Sequence, residues 1–174
     1  MSSQLLSVIL GAILAGGVRF IVEALDRRRE DQSVIVAIAS EVDTICHIVR
    51  QQNYLLGVSR LLRLVELGTV NEARYLIDIK ANYFSVYEAL SGKLGRLLPN
   101  QVASIVRFYG YCKTIIDGTR PDGIASWQQG QINAVESLRA LESGLRGMLL
   151  LGDAIVQFPR NQLSHSDIAT QIDQ

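Results

Sequence analysis

The chain has 174 residues with 17 basic and 17 acidic side chains, so its formal net charge is zero. That balance gives no overall electrostatic pull toward nucleic acid, and the length allows one self-sufficient domain of roughly 130 residues once an anchor is set aside. No set of Cys, His, Asp and Glu has metal-ligand spacing, and no catalytic or nucleotide-binding motif stands out.

The first predicted element is a membrane helix. Residues 5–25 read LLSVILGAILAGGVRFIVEAL, and Asp26, Arg27, Arg28, Arg29 and Glu30 come directly after. An apolar stretch of about this length crosses the ~30 Å hydrocarbon core as a helix. The unbroken run, Leu5 to Val18, is short, and Arg19 and Glu23 interrupt the remainder of the segment. The Leu, Ile, Val and Phe residues contribute roughly −4 to −7 kcal/mol to insertion, and a central arginine would cancel about 2.5 to 3.5 of that. Arg19 lies toward one end, where it can snorkel to the headgroups and pair with Glu23 at i, i+4. Net insertion is favourable but modest.

Two other readings of this segment exist. A secretory signal peptide fits poorly, because Met1 to Gln4 hold no Lys or Arg and the three arginines would oppose translocation just past a cleavage near Gly17. A core helix of a soluble protein is the second, since apolar runs of about 10–14 residues often play that part. Three consecutive arginines favour the cytoplasmic side. They predict a single-pass protein of the inner (cytoplasmic) membrane, N-terminus outside and the rest cytoplasmic.

Two candidate sites lie on this segment. Ser7, Gly11 and Ala15 form a small-xxx-small stripe, with Ala12 and Gly16 as a second, and small residues let two membrane helices approach closely. The functional reading is self-association; the plain one is that glycine is common in such helices. Arg27, Arg28 and Arg29 set topology and can also meet anionic lipid headgroups, at about 1 kcal/mol each, although Glu30 and Asp31 dilute any lipid specificity.

From Gln32 to Leu56 the spacing predicts a helix continuing from the first. Ile35, Ile38, Val42, Ile45, Val49 and Leu56, with Gln52 in the remaining slot, make an alternating 3/4 seam of the coiled-coil kind. Leu61, Leu62, Leu64 and Val65 extend it past Gly57 to Gly68, a C′ stop. Thr69 to Glu72 has the form of a capping box, which predicts a short helix from Val70 to about Ile79. A break is expected at Ala81 to Phe84. Ser85 to Glu88 is a second capping box, opening a helix through Val86, Leu90 and Leu94 that ends at Gly95. Pro99 fits the first turn of the next helix, whose stripe is Val102, Ile105, Val106, Tyr109, Cys112 and Ile116, closing at Gly118. A turn-rich loop, Gly118 to Gly123, precedes the last long helix, Ile124 to Leu151 or Phe158. Its seam is Ile124, Trp127, Gln131, Ala134, Leu138, Leu141, Leu145 and Met148, and Pro159 stops it. The polar tail, 159–174, is expected to be disordered.

Other residues invite chemistry and are better explained without it. Cys46 and Cys112 lie in apolar helical patterns and read as reduced, packed thiols; a disulfide between them would require the inverted topology. His47 and His165 read as a surface or packed histidine and a tail residue. Lys93 to Arg96 and Arg107 to Tyr111 set cations beside aromatics, but Phe108 and Tyr111 share a face distinct from Tyr109, so no continuous stacking platform for nucleic acid forms. The glycines of 118–123 do not match a phosphate loop, and no serine nucleophile elbow or paired-carboxylate face is present.

The run Arg27-Arg28-Arg29-Glu30, the element Tyr87-Glu88-Ala89-Leu90-Ser91-Gly92-Lys93-Leu94-Gly95-Arg96-Leu97 and the segment Ile105-Val106-Arg107-Phe108-Tyr109 resemble small bacterial membrane proteins. Those proteins have an N-terminal anchor, an Arg-rich junction and a helical cytoplasmic domain carrying a "KLG.L" element before an "FY" helix. The resemblance implies the layout and brings no activity, cofactor or functional residue. The preference for Arg over Lys (only Lys80, Lys93 and Lys113) also hints at a GC-rich bacterial genome. In structural terms Gly95 would let the chain turn while Leu94, Leu97 and Leu98 close the base of the bundle over Phe108 and Tyr109.

Together these patterns predict an all-α protein: a transmembrane anchor at 1–26, an antiparallel cytoplasmic helical bundle at 27–158, and the tail. The expected function is a membrane-tethered interaction or scaffold module without enzymatic activity. It would contact membrane lipid and a protein partner or a second copy, without cofactor, nucleic acid or small-molecule substrate. The alternatives are a soluble helical oligomer whose N-terminal helix is buried in protein, and an enzyme with an unrecognised site.

Overall fold

The computed structural model describes residues 2–70, 73–74, 81–120, 126–127 and 134–159; for 2–22, 24, 73–74, 81–82 and 126–127 the description covers the backbone alone. The protein is all-α. Five helices carry the fold: α1 Ser2–Gln51, α2 Tyr54–Glu66, α3 Ser85–Leu90, α4 Pro99–Thr119 and α5 Ala134–Val156. A two-residue antiparallel pairing, β1 Ala73–Arg74 with β2 Ser126–Trp127, ties the connections before α3 and α5 together.

α1 is one 50-residue helix, roughly 75 Å long at 1.5 Å per residue. Its second half supplies the first wall of the core: Val34, Ile35, Ile38, Ala39, Val42, Ile45, Cys46 and Val49 are all buried. The portion Leu25–Gln51 is long and apolar enough to cross a membrane by length and composition, yet 44% of its apolar window is already buried inside the protein. The stripe Ser7, Gly11, Ala15 lies outside the described side chains.

The helix stops at Gln51 because Asn53 turns left-handed, with φ 52°. Asparagine tolerates that conformation better than most residues. The break falls at 52–53, inside the seam that the spacing carried on to Gly68, and it resets the helical phase. Gln52 and Leu56 consequently sit outside the core that the seam predicted for them, and Val58 and Leu62 take the buried positions of α2. Gly68 (φ +67°) ends α2 as expected. The Thr69 N–H donates to Leu64 O at 3.1 Å and the Gly68 N–H to Val65 O at 3.0 Å, the paired bonds of a Schellman end.

That ending overturns the first capping box. Thr69 Oγ1 donates back to Leu64 O at 2.8 Å, so its hydroxyl closes α2 and opens no new helix; Ala73–Arg74 is extended. The remainder of that short helix lies outside the described residues. The second capping box is also replaced. Ala81–Phe84 forms a 3-10 turn, α3 begins at Ser85 with no side-chain cap from Ser85, and Ser91–Arg96 continues as 3-10.

α4 opens on Pro99 as predicted, and the Leu98 N–H donates to Gln101 Oε1 at 3.2 Å. Its buried row is Ile105, Phe108, Tyr109, Cys112 and Ile115, while Val106 is exposed. Gly118 does not close the helix; it is buried within the last turn, which runs to Thr119. α5 is described from Ala134; the predicted start at Ile124 and the seam residue Gln131 lie outside the described residues, and Ser126–Trp127 belongs to the β pairing, not to a helix. From Leu138 the seam holds: Leu138, Leu141, Leu145 and Met148 are buried, and Gly152 and Ile155 prolong it.

Contacts at the glycines fix the helix directions. A Cβ at Gly144, Gly147 or Gly152 of α5 would meet Ile115, Tyr111 or Phe108 of α4 respectively, so the two helices run antiparallel. α2 also runs against α5, through Ser59–Glu142 and Glu66–Arg139. The tail beyond Pro159 lies outside the described residues.

Candidate functional site

Two clusters hold the parts of the molecule that sequence periodicity does not explain: a charged collar where α1 enters the domain, and a carboxylate hub one helical stretch further on. At the collar Arg27, Arg28 and Arg29 are exposed. Arg27 lies 3.8 Å from Glu23 at i, i+4. Glu30 accepts Lys93 Nζ at 2.9 Å and Arg96 Nη1 at 2.5 Å. These hydrogen bonds, first from Lys93 and then from Arg96, hold the Glu30 carboxyl below its usual range, and the same contact raises the Arg96 guanidinium. The neighbouring Asp31 has its Oδ1 buried without a hydrogen-bond partner among the described residues, and its charge adds to the rise of the Arg96 guanidinium.

The Lys93-Leu94-Gly95-Arg96 element therefore clamps the 3-10 turn onto α1. Leu94 and Leu97 are buried beneath it, but Leu98, expected to help close the base, is 57% exposed. Leu98 has no place in the base because its backbone caps α4 in extended geometry.

At the hub, Glu41 of α1 takes the role that the sequence assigned to a capping box. Its carboxylate accepts the Val86 N–H at 2.7 Å and the Tyr87 N–H at 3.0 Å, satisfying free donors at the start of α3. Tyr109 Oη donates to the same carboxylate at 2.5 Å. The Tyr109 ring stacks on Tyr87 with centroids 3.9 Å apart, and meets Phe84 and Phe108 edge-on. Burial, then the Glu41 hydrogen bond, pushes the phenol well above its ordinary value. Phe108 and Tyr109 are thus packed between helices, as the plainer sequence reading had them.

Next to the hub α1, α4 and α5 meet at Gly152. A Cβ at Gly152 would lie within 2.3 Å of Cys46 Sγ and 3.2 Å of Phe108. Burial pushes the Cys46 thiol up to about 11 and raises Cys112 further. Both cysteines are free and buried, so at neutral pH they are neutral thiols and not thiolate nucleophiles.

The ion pairs between helices are peripheral. Arg50 meets Asp153 at 2.7 Å, Arg139 meets Glu66 at 2.7 Å, and Glu142 bridges Ser59 at 2.6 Å and Arg146 at 2.9 Å. Of these groups Arg50, Ser59 and Arg146 border a shallow groove of about 430 Å³ at the α1–α2 break, with Val49, Leu55, Leu56 and Leu149 on its walls.

Proton transfer near neutrality needs groups tuned toward pH 7. The perturbed acids here move the other way: Glu30 and Glu142 are held ionised, while Cys46, Cys112 and Tyr109 are held neutral. His47 is exposed, and among the described residues no three His, Cys, Asp or Glu side chains converge as a metal site. The arrangement fixes helices and presents charge. Glu30 and Glu41 escaped the sequence reading because their partners lie 63 and 45 to 68 residues away. The available signal was an acidic residue on the flank of an apolar seam opposite an unsatisfied helix start. No known family model, curated protein or solved structure matches this chain.

Proposed function

We propose that the chain is a single-pass, membrane-tethered helical interaction module, with residues 1–26 in the inner membrane, the N-terminus outside and the helical domain in the cytoplasm. The observation that carries this reading is the continuity of α1 from Ser2 to Gln51. The apolar run 5–25 and the core positions Ile35 to Val49 belong to one helix, and the exposed arginines 27–29 stand between them. A stiff connection of this kind holds the domain at a set height above the leaflet and raises its local concentration there. Ser7, Gly11 and Ala15 offer a route to self-association within the bilayer. The acids whose ionisation is shifted, Glu30, Glu142, Cys46, Cys112 and Tyr109, are moved away from neutrality, which supports a binding role.

The test is extraction and phase partition of the full chain. The protein should remain with membranes in alkaline carbonate and enter the detergent phase at neutral pH. Leu10→Arg should move it to the soluble phase, because the substitution costs about 3 to 4 kcal/mol of insertion energy. Release of the unsubstituted protein by carbonate, together with partition into the aqueous phase, would contradict the tether.

A further inference from the structure

Two leucines on the surface of α2 and a third at its C-cap have no part in the core. Leu56, Leu64 and Leu67 are 48, 43 and 69% exposed. At 100° per residue they fall on one stripe with Arg60 and Arg63, opposite the buried Val58 and Leu62. Single exposed leucines are ordinary; a row of three along one helix face is the pattern that helix-on-helix recognition uses. Both arginines are exposed, and among the described residues neither is ion-paired. The neighbouring cations are already engaged: Arg50 with Asp153, Arg139 with Glu66 and Arg146 with Glu142.

We propose that this outer face of α2 docks an acidic amphipathic helix of another protein. The leucines would pack against its apolar stripe, and the free guanidiniums would meet its carboxylates in charge-assisted pairs. A second copy of the chain suits the face badly. Antiparallel two-fold pairing of α2 with itself centres between residues 61 and 62, which brings Arg60 of each copy against Arg63 of the other. A bilayer suits it badly too, since α2 begins about 40 Å along α1 from the arginine collar, several times the ~8 Å screening length. The inference deepens the interaction-module reading; the tether enters only the argument against a bilayer.

The experiment places a photo-crosslinking residue at Leu64, and separately at Leu67, in the full chain within its native cells, with Leu150 of α5 (72% exposed) as control. The expected product is an adduct whose cross-linked peptide carries Asp or Glu flanking an apolar i, i+4 row. Its yield should fall about tenfold or more in Arg60→Glu/Arg63→Glu and stay within about twofold in Arg60→Lys/Arg63→Lys, with helical circular dichroism unchanged in both. The control position should give no charge-dependent adduct. An adduct to lipid or to a second copy, an adduct indifferent to charge reversal, a cross-linked peptide without acidic residues, or no adduct at either position overturns the proposal. A chain that gives this adduct but fails the extraction test keeps the docking face and loses the tether; the reverse result does the opposite.

Discussion

The two halves of α1 are both rich in apolar residues and differ in how those residues are arranged around the helix. From Leu5 to Val18 the sequence has no charge on any side. From Ile35 to Val49 the buried apolar residues occupy one side, with Val36 the exposed exception, whereas Ser40, Asp43, Thr44 and His47 face water. On that outer side the Ser40 and Thr44 hydroxyls bond back to Val36 O and Ser40 O, each at 2.9 Å, so the helix satisfies its own polar groups. A hydropathy sum scores both halves as able to span a membrane. Angular distribution separates them, because lipid solvates every side of a helix and a protein core only one.

The same truncation in each half sharpens this contrast most. Ile38 is fully buried, and Ile38→Ala should cost about 2 to 5 kcal/mol of domain stability, read as a drop in midpoint by denaturant melts. Ile9→Ala should leave the midpoint unchanged. Comparable losses from both substitutions would mean that the first half is also packed against protein, which would break the contrast.

Alkaline pH probes the core half by itself. The unfolded Cys46 thiol ionises near 9.0 and the folded one near 11, so between those values the unfolded chain has released a proton that the folded chain keeps. Stability is therefore intact below pH 9 and falls as pH rises, by about 2 to 3 kcal/mol at pH 11. Burial of Cys112 and Tyr109 acts in the same direction. Cys46→Ala should flatten the slope in thermal melts across this window; an unchanged slope would remove the thiol from the account. The half proposed to lie in lipid should show no such limit, which is why carbonate extraction needs the neutral-pH partition beside it.

Gly152 tests how tightly the core half is held. Gly152→Ala puts a methyl into Cys46 Sγ and against Phe108, an overpacking that should cost about 1 to 3 kcal/mol. In Gly152→Ala/Cys46→Ala the conflict should ease, and strictly additive losses would show that the close approach is not what excludes a side chain there.

Much of the fold was legible in the sequence because periodicity records which face is buried. The seams Ile35 to Val49 and Leu138 to Met148 are buried as spaced, and Pro99 and Gly68 sit where helix ends require them. Phase was lost wherever a backbone event intervened. The left-handed turn at Asn53 rotated α2 by enough to expose Leu56 and bury Val58. The capping signatures misled because capping is a local pattern with non-local competitors. Thr69 was consumed by the end of α2, and the donors of α3 were taken by Glu41 from 45 residues upstream. The same holds at the collar. The arginines were visible as a run, while the clamp of Lys93 and Arg96 on Glu30 depends on how the chain folds back.

That clamp gives the smallest effect and the finest test of the comparison. The core half of α1 is held by burial; the junction below it is held by ion pairs whose side chains are 43 to 48% exposed, and exposed pairs add little to stability. Glu30→Gln should therefore leave the denaturation midpoint unresolved from that of the parent protein. Its consequence should be geometric, because Lys93 and Arg96 no longer share an anion on α1. Spin labels at Leu25 and Gly92 should report a broader distance distribution in Glu30→Gln than in the parent. The two cations hold the Glu30 carboxyl below its usual range, so the contact is complete above the ordinary carboxylate pKa and is lost as pH falls through the lowered one. Broadening in the parent protein should begin only there. If it began nearer neutrality, or if Glu30→Gln left the distribution narrow, the junction would be held by packing as the core is, and the two halves of α1 would differ in their solvent but not in how they are fixed.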